Sequence, residues 1–267
     1  MEIALIITLL LVLGAEFMNG FTDAPNAITT VVSTRTLPLR FAIILAVVFN
    51  IAGVFAGTAV AKIIGKGIIE SSVIDLITIG SAMFVIIVWS FVAWWRGLPT
   101  SETHALVAAL AGAGVATAGP GVLLLDGWRN VGIGLFFSTF LGLLAAYILT
   151  KIVRKIAAPF PPRHTKPTFR WLQILSSSFM AFSHGSNDGQ KFIGVFALAL
   201  FLGGATATFT IPLWVVVVCA IAMGVGTSFG GWRIIRTMGL KMVKIETYQG
   251  FCAETSAGIV ISLASLI

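Results

Sequence analysis

Charge is scarce in this sequence. Only 10% of the 267 residues are Asp, Glu, Lys or Arg, against about 25% in soluble domains. Apolar residues make up 58%. A water-soluble fold of this length could not hide so much apolar surface, which argues against a soluble enzyme. Cysteine is almost missing. Cys219 and Cys252 lie in apolar surroundings, without the number or spacing of a metal site or a disulfide framework. No G-x-x-x-x-G-K-[ST] loop occurs, so ATP-driven work by this chain alone is disfavoured. No nucleophile–base arrangement is visible, so the chain does not read as an enzyme. The first residues lack the basic start and the small-residue cleavage pattern of a signal peptide and carry Glu2 and Glu16, which predicts a retained first helix.

What is present is apolar length. Runs fall at about 3–17, 41–61, 73–95, 105–125, 131–152, 171–182, 192–202, 209–229 and 251–267. At about 20 residues per crossing, the length allows roughly seven to nine spans. The expectation is an all-α polytopic membrane protein. Lys and Arg outnumber Asp and Glu by 17 to 10, a formal charge of +7. The surplus sits between apolar runs, at Lys151, Arg154, Lys155, Arg163, Lys166 and Arg170 and again at Arg233, Arg236, Lys241 and Lys244. That is the positive-inside pattern, facing membrane lipid rather than nucleic acid, and it places the chain in the cytoplasmic membrane. The stretch 157–170 is also rich in proline (Pro159, Pro161, Pro162, Pro167) and reads as a cytoplasmic linker between a first half, 1–156, and a second, 171–267. Counting crossings back from it puts the N-terminus outside.

The two halves share a pattern. Gly20-Phe21-Thr22-Asp23-Ala24-Pro25-Asn26 and Gly185-Ser186-Asn187-Asp188-Gly189-Gln190-Lys191 each end an apolar run with Gly-x-x-Asp, and the aspartates are 165 residues apart. Short apolar halves broken by polar residues, in matching places of two repeats, point to a transporter binding site built on broken or re-entrant helices. Ionisable groups at membrane depth are costly and are functional hypotheses by default. Asp23, with Thr22 and Asn26, and Asp188, with Ser186, Asn187 and Gln190, offer hard oxygens suited to Na⁺ or a proton. Glu16 reads equally as a structural hydrogen-bonding group, and Lys191 as a snorkelling residue or an ion pair with Asp188. Ser101-Glu102-Thr103-His104 opens the run from Ala105, where free N–H groups and two hydroxyls suit an anion; an ordinary helix cap explains the local pattern as well. Nothing around His104 suggests zinc. Gly53-x-x-x-Gly57 reads as close helix packing.

Jointly these elements resemble the inorganic phosphate transporter (PiT) family. The carriers are Gly20 to Asn26 with Thr34-Arg35-Thr36-Leu37, Ser183 to Lys191, Gly97-Leu98-Pro99-Thr100-Ser101-Glu102-Thr103-His104, Gly230 to Gly239, and Ala253-Glu254-Thr255-Ser256-Ala257. The resemblance implies two inverted repeats with phosphate bound between them, and secondary transport driven by Na⁺ or H⁺. It implies phosphate binding by Thr22, Asn26, Ser101, Thr103, Ser186 and Asn187. It implies coupling-ion roles for Asp23, Asp188, Asn50 and Glu254, with Glu102, His104, Gln190 and Lys191 as accessories. No cofactor is implied beyond Na⁺ as a coupling ion, and a homodimer is allowed. Thr22 departs from the Asn of many members, Glu102 from a Thr, and Asn50 from the Glu of some Na⁺-coupled members, which leans the coupling towards H⁺. Sulfate, a metal–phosphate complex, or a non-transporting receptor or partner subunit are the other readings. In the first half Asp23 precedes Ser101 by 78 residues. The same step from Asp188 falls at 266, so the second repeat is expected to lack its end.

Overall fold

The computed structural model describes residues 2–23, 25–62, 74–242 and 244–264. Ala24, Val73 and 265–267, which the sequence places in the first signature and in two apolar runs, lie outside them. Among the described residues the main elements are helices. They are α1 (Glu2–Thr22), α2 (Pro25–Ser33), α3 (Leu39–Val54), α4 (Leu76–Arg96), α5 (Glu102–Ala118), α6 (Leu125–Ala157), α7 (Pro162–His184), α8 (Gln190–Leu202), α9 (Leu213–Ser228), α10 (Trp232–Arg236) and α11 (Thr247–Ala264). Wide, π-type helical turns at Gly185–Gly189 and Thr237–Met242 follow α7 and α10.

The helix ends follow local chemistry. Asp75 caps α4 by accepting the Thr78 backbone N–H at 2.8 Å, and Thr78 closes the reciprocal capping box. Gly97 ends α4 at φ +66°, a conformation that favours glycine. Pro25 opens α2 at its first residue, where a missing N–H costs nothing.

Three described stretches are long and apolar enough to cross a membrane: Glu2–Ser33, α4 and α6. A fourth is α9 with Trp232–Gly239, bent by 54°. This is fewer than the seven to nine that length allows. The other apolar helices are short, such as α3 and α8, or polar at one end, such as α7. Helix α7 already starts at Pro162 and runs through Pro167, so most of 157–170 is helical. Helix α6 has no buried residue, as a helix facing lipid would. By contrast every residue of α8 from Gln190 to Leu200 is buried. It is apolar all round because neighbours surround it on all sides.

The halves cross over. Helix α1 lies against α9, and α7 lies against α3. Four glycines make the crossings close. A Cβ on Gly20 would stand 2.1 Å from Met223 O and one on Gly185 2.1 Å from Asn50 O. One on Gly226 would stand 2.0 Å from Phe17 O and one on Gly53 2.1 Å from Phe182 O. These contacts come in matched pairs. Positions on α1 and α7 are offset by 165 residues, and positions on α3 and α9 by 173. The crossings bring the ends of α1 and α7 together.

Candidate functional site

Asp23 sits where the chain leaves α1, and Pro25 prevents the helix from continuing regularly. Asp188 sits in the wide turn between α7 and α8. Here the sequence expectation needs amendment. The backbone at Gly185–Gly189 stays helical and merely widens, because no proline follows the glycines. The widened turn presents several side chains to one space.

Asp23, His184 and Asp188 meet there, with one ligand atom of each within 4.8 Å of the others. His184 Nε2 lies 3.2 Å from Asp188 Oδ2 and 3.9 Å from Asp23 Oδ2. Its Nδ1 lies 3.0 Å from Asn50 Oδ1, which explains the position of Asn50. Lys191 is only 7% exposed, and its ammonium donates to Asp188 Oδ1 and to Thr103 Oγ1. Asn26 donates to Asp23 from α2. Seven elements therefore converge: the end of α1, α2, α3, the end of α7, the turn after it, α8 and the start of α5. Ser186 and Asn187 stand half-buried on the same turn.

The three residues opening α5 diverge. Ser101 caps the helix, its Oγ accepting the His104 N–H at 3.4 Å. Thr103 faces Lys191. Glu102, 1% exposed, turns towards α1 and α4, where Thr22 Oγ1 lies 2.7 Å from Oε1 and Ser90 Oγ 2.7 Å from Oε2. Glu102 thus makes its contacts with Thr22 and Ser90, while Thr103 meets Lys191. On α1, Glu16 is fully buried and accepts from Asn19 Nδ2 at 3.2 Å. Glu16 Oε1, Asn19 Oδ1 and Asn26 Oδ1 are buried without a hydrogen-bond partner, oxygens of the kind a hard cation takes.

Some predicted residues stand apart. Gln190 Oε1 accepts the Val60 N–H at 3.2 Å. His104 is exposed and lines a groove between α4 and α5 with Trp89, Thr100 and Ser101. Glu254 belongs to a second buried polar cluster, accepting from Thr30 and Ser176. Next to it Gln173 Oε1 accepts from Thr34 at 2.9 Å and Thr36 at 2.7 Å. Ser90, Gln173 and Ser176 escaped the sequence reading, as did the bridging role of His184. Ser90 is the only polar residue between Phe84 and Trp94, which marks the position but names no partner.

An all-helical membrane protein with a buried, charged junction at one helix break and one widened helical turn is the architecture of a transporter rather than an enzyme. The profile of the phosphate transporter family (PHO4) matches residues 19–267, and the chain belongs to this family. It is 38% identical over 273 aligned residues to a Bacillus subtilis (strain 168) protein named "Probable low-affinity inorganic phosphate transporter", covering 100% of this chain and 82% of that one. It is 40% identical over 252 residues to a protein of the same name from Rhizobium meliloti (strain 1021), covering 94% and 75%. A solved structure titled "The sodium-dependent phosphate transporter" superposes with a TM-score of 0.87 at 21% identity, over 98% of this chain and 84% of that one, which shows the shared fold.

Proposed function

We propose that this chain is a secondary active symporter that carries inorganic phosphate across the cytoplasmic membrane, with H⁺ as the coupled ion. The observation behind this reading is the convergence of Asp23, His184, Asp188, Lys191 and Thr103 from both halves of the chain, at a helix break and a widened helical turn. Phosphate would be drawn by Lys191 and His184 and by the hydroxyl and amide groups of Asn26, Ser101, Thr103, Ser186 and Asn187, while the single Thr22 hydrogen is taken by Met18 O or Glu102. Cations attract the anion, and Asp23 and Asp188 hold those cations in place. Residues 1–156 and 171–267 would act as two repeats, joined by 157–170 on the cytoplasmic side. Rocking one against the other would expose the site to each side in turn. The matched glycine crossings support that pairing. Lipid would cover α6, and a homodimer fits the same exposed faces.

Two observations favour second readings. The unpartnered oxygens of Glu16, Asn19 and Asn26 would suit Na⁺ as the coupling ion. The Asp23, His184 and Asp188 triad has the donor set of a divalent-metal site, which would suit a metal–phosphate substrate. Uptake of labelled phosphate into vesicles holding the purified chain separates them, with Na⁺ and H⁺ gradients imposed one at a time and with divalent cations chelated. Stimulation by Na⁺ alone would overturn H⁺ coupling. Loss of uptake on chelation would favour the metal–phosphate substrate, and competition by sulfate would show a broader anion specificity.

A further inference from the structure

The hydrogens around Glu102 can be counted. Thr22 Oγ1 lies 2.6 Å from its own helix carbonyl, Met18 O, as well as 2.7 Å from Glu102 Oε1. Ser90 Oγ lies 2.7 Å from Ile86 O as well as 2.7 Å from Glu102 Oε2. Each hydroxyl carries one hydrogen. With Glu102 ionised, two hydrogens face four acceptor contacts, and two of these contacts bring oxygen lone pairs together. A proton on Glu102 supplies a third hydrogen. The carboxyl O–H donates to one hydroxyl, which is then free to donate to its own helix carbonyl. Among the described residues, no Lys, Arg or His nitrogen lies within 4 Å of Glu102 to neutralise it otherwise. The charged groups facing it are Asp23 at the end of α1 and Asp188 in the turn after α7, both acidic. Glu16 lies further back on α1. The basic groups His184 and Lys191 are engaged with Asp188. Helix α4 presents Ser90 to it.

We propose that Glu102 binds the proton that accompanies phosphate, in a slot formed by Thr22 of α1 and Ser90 of α4. The inference rests on the phosphate symport reading above. Glu102 lies between Ser101 and Thr103 at the start of α5, so its charge and the arriving anion repel each other. Protonation removes that repulsion, and by reciprocity a bound phosphate strengthens the hold on the proton. The slot joins α1 to α4 and α5, so opening it as the helices shift releases the proton with the phosphate. No bond other than O–H forms or breaks: the proton arrives from water on one side and leaves to water on the other.

The test separates exchange from net transport in vesicles. Wild-type protein is expected to accumulate labelled phosphate when only the outside is acidic, and to exchange internal for external phosphate without a gradient. Glu102→Gln keeps a neutral N–H donor in the slot. It is expected to retain exchange and to lose gradient-driven accumulation, with an exchange rate that no longer changes with pH. Accumulation by Glu102→Gln at the wild-type level would overturn the proposal. So would loss of both exchange and accumulation in a variant that elutes and melts like wild type. Should that variant fail to fold, the wild type still decides: accumulation that follows a Na⁺ gradient and ignores a pH gradient overturns the proposal. Failure of the wild type to move phosphate under any gradient would instead sink the symport reading.

Discussion

Asp188 has both carboxylate oxygens engaged, Oδ1 with Lys191 and Oδ2 facing His184. Removing its charge strands two nitrogens inside the protein, and truncating one partner of such a buried pair costs about 2–5 kcal/mol. Asp188→Asn is therefore expected to abolish phosphate uptake while the protein still inserts in membranes, as is Asp23→Asn; near-normal uptake in vesicles would remove either residue from the site. Lys191→Ala is expected to lower uptake at least about tenfold by the same reasoning, and Lys191→Arg less, since it keeps the charge. Both aspartates were legible in the sequence because a carboxylate inside an apolar run has no cheap explanation. Ser90 was not. A serine hydroxyl can satisfy itself on its own helix, here at Ile86 O, so nothing in the apolar run betrays a distant partner. Glu254 was legible as a buried acid, but its partners Thr30 and Ser176 hold it away from Lys191 and His184, on separations no local pattern encodes.

Helix crossings set where these residues can meet. Gly185 leaves no room for a methyl group against Asn50 O, and Gly20 none against Met223 O. Gly185→Ala or Gly20→Ala should force the helices apart and destabilise the protein by about 1–3 kcal/mol in thermal unfolding in detergent. On α6, Gly132 meets nothing within 4 Å, so Gly132→Ala should be neutral or mildly stabilising. A second check lies at the start of α4. The Thr78 backbone N–H holds the Asp75 carboxyl below its ordinary value. A depressed carboxylate contributes stability above the usual Asp range, and that contribution fades as pH falls through the lowered value. Asp75→Ala should cost about 1 kcal/mol at neutral pH, with the gap to wild type closing in acid. The sequence announced a break at both Gly-x-x-Asp motifs, yet only the first is one. Pro25 forbids a regular helix after Asp23, whereas Gly185 to Gln190 contains no proline, so α7 passes into α8 through a widened turn. The composition of the two motifs is alike, and the single proline decides between them.

At the scale of the whole molecule, composition alone gave the class. A chain with so little charge and so much apolar length belongs in a bilayer, and the bare surface of α6 agrees. The crossing of α1 with α9 and of α7 with α3 was beyond reach, because glycine spacing shows that helices approach closely but not which ones do. That crossing ties the halves together at the Asp23 and Asp188 junction, so a movement of one half must reshape the site. The most direct measurement is labelled phosphate uptake into vesicles carrying only a pH gradient, acid outside, with wild-type protein and with Asp188→Asn. The predicted result is accumulation by wild type and none by the variant. No accumulation by wild type, or equal accumulation by both, would contradict a proton-coupled phosphate site at this junction.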